Sequence, residues 1–264
     1  MLTTEQVAYF ETFGFLLLRQ AFSPAETAEI SRAFDEVLAE DRAGRAFDGE
    51  KRQAVLGVAE RRGLLTGLIE SDLIYEAMEQ LLGPNFVWVG SDGNLYVGDT
   101  DWHPDSRNLH YRRIKVAFYL DPVTAETGCL RVIPGSHRDS LHTALLGLQP
   151  ARADQSTPFG VPPRGLPYYP LESRPGDVVM FDQCTWHAAF GGRTGRRMFT
   201  FNFSAEPTTA EHEAILRKMY LANVDATRTM QYTHTGRIYT DEFLHSGRPR
   251  LQSITAKLLD YGFL

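Results

Sequence analysis

Between residues 85 and 205 the chain breaks into short runs of β-branched and aromatic residues, and this change of texture limits the fold more than any other feature. NFVWVG, NLYVG, RIKVAFYL, CLRVIPG, DVVMFDQ and RMFTFNFS follow one another, punctuated by Gly, Asp and Pro. Strands at this spacing build a sandwich or barrel, because βαβ units would need helical stretches between them. The flanks read as helical. Thr3 and Gln6 have capping-box spacing ahead of a short helix, and GFLLLRQAF then reads as a strand. Ser23-Pro24 with Glu26 opens a longer helix whose Ile30, Ala33, Phe34, Val37 and Leu38 share one face. A further helix covers 71–82 and stops at Gly83-Pro84. After residue 206 the pattern is helical again, with a capping box at Thr208 and Glu211 and a last helix holding Leu251, Ile254 and Leu258. Residues 41–63, charged and irregular, read as a solvated loop. The Pro- and Gly-rich insert before RPGDVV is too long for a hairpin turn, and 142–173 is a candidate lid. With no repeat and no linker, one domain over residues 1–264 is expected: helical N-terminal support, a β core at about 85–205, and C-terminal helices.

Composition removes several function classes. The 264 residues are 43% hydrophobic, enough for a sizeable core, and a formal net charge of -6 argues against nucleic acid as a partner. No apolar run reaches the roughly 20 residues that cross a bilayer, so no membrane role is expected. The start MLTTEQVAYF lacks a signal-peptide pattern, and Cys129 and Cys184 are too few for a disulfide framework. Both point to a cytoplasmic protein, with the cysteines as small apolar fillers. The sequon at Asn202 sits inside an apolar strand-like run and is a poor glycosylation site.

Chemistry concentrates in WHPDSRNLHYRRIKV, residues 102–116. Side chains at i and i+2 of a strand share a face, so His103 and Asp105 can converge on one cation. They can equally form a hydrogen-bonded surface pair. His187, ending GDVVMFDQCTWH, is the best third ligand. Two histidines and a carboxylate leave coordination positions open, which suits non-haem Fe(II) holding a co-substrate and O2. An arginine about one strand later, in GGRTGRRMFTFNFS, could grip a carboxylate in a paired bond, as 2-oxoglutarate requires. Alternation places Arg196 with Met198, Thr200 and Asn202, the more polar face, and Arg197 with Phe199, Phe201 and Phe203. Arg196 is therefore the preferred anchor and Arg197 its competitor.

Four motifs in order resemble the phytanoyl-CoA dioxygenase family of Fe(II)/2-oxoglutarate oxygenases: WHPD, ETGCLRVIPGSHR, RPGDVVMFDQCTWH and RRMFTFNFS. The opening LTTEQVAYFETFGFLLLRQAFSPAE is also similar, and the likeness spans about 2–40 and 85–205. It implies a mainly β double-stranded β-helix, a cupin-like jelly roll with flanking helices. It further implies that His103, Asp105 and His187 bind iron and that Arg196 holds the distal carboxylate of 2-oxoglutarate. The implied activity is O2-dependent oxidation, most simply hydroxylation, of a small-molecule metabolite, with succinate and CO2 as co-products. Two departures stand out. Ala189 occupies a position where the family often has a small hydroxyl residue, and Pro104 stiffens the ligand arm. Because the carboxylate of Asp105 is present, halogenation is not expected.

In YRRIKVAFYL, Arg113, Lys115, Ala117 and Tyr119 share a face that the resemblance turns towards the barrel interior. Buried cations need anions, so Lys115 is read as meeting 2-oxoglutarate and Arg113 an acidic group of the substrate. An exposed edge strand carrying cations is the competing reading. Trp102 and Tyr111 are further candidate substrate contacts. His137 reads as structural, and GGRTG lacks the ending of a phosphate loop. Desaturation, cyclisation or demethylation would use the same cofactors. A Zn hydrolase or a non-catalytic binding protein on the same scaffold are the other classes, and a monomer or homodimer is expected.

Overall fold

The computed structural model describes residues 1–147 and 161–263. Its ten strands are β1 (Phe15–Leu18), β2 (Gln53–Leu56), β3 (Val87–Tyr96), β4 (Thr100–His103), β5 (Arg113–Tyr119), β6 (Leu130–Val132), β7 (Tyr169–Leu171), β8 (Val178–Asp182), β9 (His187–Ala189) and β10 (Arg196–Ser204). They form a six-stranded sheet, ordered β1-β8-β5-β10-β3-β2, and a four-stranded sheet, ordered β4-β9-β6-β7. Every pairing is antiparallel. This is the expected double-stranded β-helix.

Three of the expected helices form where their start signals lie: α1 (Thr4–Phe13), α2 (Pro24–Arg42) and α4 (Asp72–Leu82), with α3 (Gly63–Ile69) added between the last two. The capping boxes at Thr3/Gln6 and Ser23/Glu26 are both closed. The strand read from GFLLLRQAF is only four residues long, because Gly14 is spent as the left-handed cap of α1 and the chain turns at Arg19-Gln20, where Gln20 has positive φ. NFVWVG and NLYVG merge into the single ten-residue β3. Past the β core run α6 (Ala210–Arg228), α7 (Asp241–Leu244) and α8 (Pro249–Asp260). The expected box at Thr208 and Glu211 is displaced by one residue: Thr209 is the cap and accepts from the His212 N–H.

Alternation sorts the large sheet into two faces. On its outer face Phe118 and Phe199 stack at 4.4 Å, Phe34 of α2 lies 6.1 Å from Phe199, and Trp88 meets Phe201 and Phe203 edge-on. On its inner face Ala117, Tyr119, Phe181 and Met198 look towards the small sheet. β5 lies between β8 and β10, so the edge-strand reading of its cations is excluded.

Residues 43–52 are largely exposed and irregular, as expected, but 53–60 are not a solvated loop. β2 pairs with β3 as the rim of the large sheet, and Gln53, Val55, Val58, Ala59 and Glu60 behind it are buried. The buried polar groups are satisfied internally. Gln53 donates to the Leu38 carbonyl and to Asp41, while Glu60 accepts from the Trp88 indole and the Ser91 hydroxyl. Burial pushes the Glu60 carboxyl up to about 7 despite those donors. Below pH 4.5 it is protonated in folded and unfolded chains alike. Between pH 4.5 and about 7 only the unfolded chain releases the proton, so stability falls across that window and then levels. Glu60→Gln, which mimics the protonated form, should flatten this slope, on the order of 3 kcal/mol between pH 5 and 8. Urea unfolding at both pH values would show it, and equal slopes in the two proteins would contradict it.

The proposed lid is only partly covered. Residues 148–160 lie outside the described residues. Of the rest, α5 (Asp139–Gly147) buries His142 and Leu145, and β7 is paired into the small sheet, so these ends are fixed structure. His137 packs beneath Gly14 with its Nε2 on the Glu11 carbonyl, which is a structural role. Cys129 and Cys184 are buried free thiols.

Candidate functional site

β4 and β9 pair so that His103 and His187 stand directly opposite one another, with ring centroids 4.3 Å apart. Asp105 follows in the turn beyond β4. Its Oδ1 lies 3.7 Å from His103 Nε2 and its Oδ2 3.8 Å from His187 Nε2. One donor atom from each residue falls within 4.8 Å of the others, a spacing that can hold a single metal ion. Both imidazoles are oriented for this. His103 Nδ1 sits 2.7 Å from the Asp101 carbonyl and His187 Nδ1 2.9 Å from the Thr185 carbonyl. Each Nδ1–H is thereby engaged, which leaves Nε2 as a lone pair facing the centre.

Electrostatics support the same arrangement. Burial, reinforced by neighbouring His103 and Lys115, drives His187 down to about 4, so its imidazole is neutral at physiological pH. Burial opposes the charge on Asp105, but Lys115, His187 and His103 together outweigh it and hold the carboxyl below its usual range. The Lys115 Nζ reaches Asp105 Oδ2 at 2.7 Å. Burial would neutralise this ammonium, but Asp105 holds it charged. The anion expected beside Lys115 is thus the carboxylate of Asp105, a partner from the chain itself.

A cavity of about 290 Å³ opens between the sheets at this point, lined by the three residues above and by Lys115 and Arg196. Arg196 is 2% exposed, yet its Nε and Nη1 have no hydrogen-bond partner among the described residues. Its guanidinium lies 5.2 Å from the centre of the Tyr96 ring. Its seat depends on glycine: a Cβ on Gly192 would come within 1.2 Å of Nη1 and one on Gly128 within 2.3 Å. Arg197 faces the other way, donating to Asp121, Asp35 and Ser31 against α2. An unpaired buried cation across a cavity from a His-Asp-His set can receive one end of a dicarboxylate while the other end chelates a metal.

Arg113 is 8% exposed and lines an adjoining cavity rather than this one. Trp102 and Tyr111 line neither. Trp102 is the chain neighbour of His103, so its ring projects from the opposite face of β4 into a cluster with Ile133, Leu145 and Phe190. Its indole donates to the Pro163 carbonyl. Tyr111 precedes β5, donates to the Ser204 hydroxyl at 2.9 Å and stacks on His212. Neither ring therefore faces the two cavities beside the His-Asp-His set.

The sequence reading missed Arg52, Asp92 and Thr200 on the main cavity. Asp92 accepts from Asn94 and from the Thr200 hydroxyl, and Arg52 lies 3.9 Å from it. Thr200 shares the polar face with Arg196, so alternation alone could have found it. Arg52 could not have been found without the pairing of β2.

A model of the phytanoyl-CoA dioxygenase (PhyH) family matches residues 10–199. No curated protein matches the chain. Among solved structures, HygX from Streptomyces hygroscopicus with nickel and 2-oxoglutarate bound superposes with a TM-score of 0.64 at 17% identity. That match covers 78% of this chain and 88% of HygX. EctD from S. alaskensis with bound Fe gives 0.59 at 21% identity, covering 77% of each chain. SnoK, a non-heme alpha ketoglutarate dependent carbocyclase from nogalamycin biosynthesis, gives 0.59 at 20% identity, covering 77% of this chain and 84% of SnoK.

Proposed function

The chain belongs to the phytanoyl-CoA dioxygenase family, and from that premise we propose that it hydroxylates a small molecule using Fe(II), 2-oxoglutarate and O2. The observation that carries this reading is the buried, unpaired Arg196 facing the His103–Asp105–His187 set. A Zn hydrolase could use the same three ligands with water, but it would have no use for that cation. The donor chemistry fits the metal, with two imidazole Nε2 atoms and one carboxylate on one side. When bound, Fe(II) with 2-oxoglutarate and O2 supplies the oxidising power, and succinate and CO2 leave as co-products.

In this reading the chain's own residues hold and orient. His103 and His187 present Nε2 because the Asp101 and Thr185 carbonyls fix their tautomers. Arg196 grips the distal carboxylate of 2-oxoglutarate, and Tyr96 backs its guanidinium. Thr100 lies directly across from Ala189 on the same cavity wall, where its hydroxyl could stand in for the one that Ala189 lacks. Phe181, Leu130 and Met198 keep the surrounding walls apolar and exclude water from the centre. The free cysteines fit a reducing, cytoplasmic setting.

Lys115 acts as a positioning residue that fixes the orientation of Asp105. Lys115→Met should weaken Fe(II) binding by about 10- to 100-fold, the usual cost of losing an outer partner of a ligand. Anaerobic Fe(II) titration would measure this, and an unchanged affinity would remove Lys115 from the site. The function itself is tested by screening small metabolites for substrate-stimulated succinate release. Hydroxylation adds one oxygen to the product, whereas desaturation or cyclisation removes two hydrogens, so product mass separates the outcomes. If no metal or 2-oxoglutarate dependence is found with any substrate, the reading fails.

A further inference from the structure

A second cavity of about 280 Å³ lies beside the first and shares Asp92, Asp105, Lys115 and Leu56 with it. The two are therefore neighbouring chambers separated by the Lys115–Asp105 pair. α6 borders the second through Met219, Ala222 and Asn223. Its polar wall is Gln183 and Asn202, joined by a 3.0 Å hydrogen bond from Gln183 Nε2 to Asn202 Oδ1. Arg113 completes the lining.

The charges of the two chambers do not cancel within the chain. Lys115 has Asp105 as its partner. Asp92 is already engaged by Asn94 and Thr200, with Arg52 at 3.9 Å. Arg196 is assigned to the distal carboxylate of 2-oxoglutarate. Arg113 remains. Its Nε has no hydrogen-bond partner among the described residues, and the side-chain contact of its Nη1 is the Met219 thioether, a weak acceptor. The nearby Cys184 thiol is no counter-ion, because burial pushes it up to about 12. Asp105 and Asp182 act on Arg113 only from a distance, and no carboxylate among the described residues forms an ion pair with it. A guanidinium that is 8% exposed and lacks a direct ion pair is costly, and a fork of parallel N–H donors suits an oxyanion.

Position adds to the argument. Arg113 and Lys115 leave the same face of β5 about 7 Å apart, so an anion at Arg113 lies one strand repeat from the residue that touches Asp105. A molecule anchored there would approach the metal centre from the side of Asp105, through a chamber that Arg196 does not line. We propose that the second chamber is the substrate pocket, and that Arg113 recognises a carboxylate or phosphate group on the molecule that is oxidised. This rests on the oxygenase reading of the first chamber.

The test uses the intact protein, loaded anaerobically with Fe(II) and 2-oxoglutarate, which should give a weak visible charge-transfer band. Small carboxylates and phosphate monoesters are titrated, each beside its neutral amide or parent alcohol, and the perturbation of the band is read. In the wild type, the charged member of at least one pair should bind at least about tenfold more tightly than its neutral twin. The two arms tell carboxylate from phosphate. Arg113→Gln should still form the band but lose that preference, and Arg113→Lys, which keeps the charge without the fork, should retain part of it. A wild-type band with no preference for any anion overturns the inference alone. So does a preference that survives Arg113→Gln. Absence of the band in the wild type overturns the oxygenase reading, and this inference with it.

Discussion

Arg196→Ala is expected to raise the 2-oxoglutarate concentration needed for half-maximal turnover by about 100-fold or more, while Arg197→Ala changes it little. Arg196 is buried with two unpaired nitrogens, so a bound carboxylate would be its main counter-charge and its loss would strand that anion in an apolar wall. Arg197 spends its donors on Asp121, Asp35 and Ser31, so its removal should appear as lost stability at the α2 contact. Steady-state succinate formation against 2-oxoglutarate concentration, with a melting curve for each variant, separates the two effects. A large shift in Arg197→Ala with none in Arg196→Ala would reassign the anchor.

His187→Ala should abolish the visible band of the anaerobic Fe(II)/2-oxoglutarate complex and reduce Fe(II) affinity well beyond about 100-fold. Losing an outer partner of a ligand already costs about 10- to 100-fold, and His187 would be a direct ligand. The residue is 5% exposed and neutral at physiological pH, so the alanine variant should remain folded around a small polar gap. Its folded state is checked by circular dichroism. A band that survives the substitution would show that another side chain completes the site.

Much of this centre could be read from strand periodicity, and the reasons are local. β10 keeps its register against β3 from Arg196 to Asn202, and the bulge falls only after that point. Alternation therefore puts Arg196 and Arg197 on opposite faces, as they stand in the structure. The same rule puts Lys115 on one face with Arg113, Ala117 and Tyr119, because β5 runs unbroken from Arg113 to Tyr119, and the family resemblance turns that face inward. It could not name the partner of Lys115, since Asp105 reaches it through a turn whose course no spacing predicts. The same rule turns Trp102, next to His103, out of the other face of β4.

The burial of residues 53–60 is hidden in the sequence for a different reason. Gln53 and Glu60 look like solvent-facing residues in a charged run, but each meets its hydrogen-bond partners inside the protein. Burial of a polar side chain depends on partners from distant strands, and composition carries no trace of them. Gly128 is opaque for the same reason, since it leaves room for the Arg196 guanidinium, which comes from a distant segment, and Gly192, in the loop just before β10, leaves room for the same group.

The direct opposition of His103 and His187 across β4 and β9 has a consequence for folding as well as chemistry. The strands of the small sheet are three or four residues long, so few ladder bonds hold this end of the barrel closed. An ion gripped by both histidines would act as a cross-link between segments far apart in the chain, present only in the folded state. Its stabilisation grows as RT ln(1 + [ion]/Kd), about 2.7 kcal/mol at a hundredfold excess over Kd. Local opening at β4 would then be governed by metal supply, and the apo form would be the one most exposed to proteolysis at that seam.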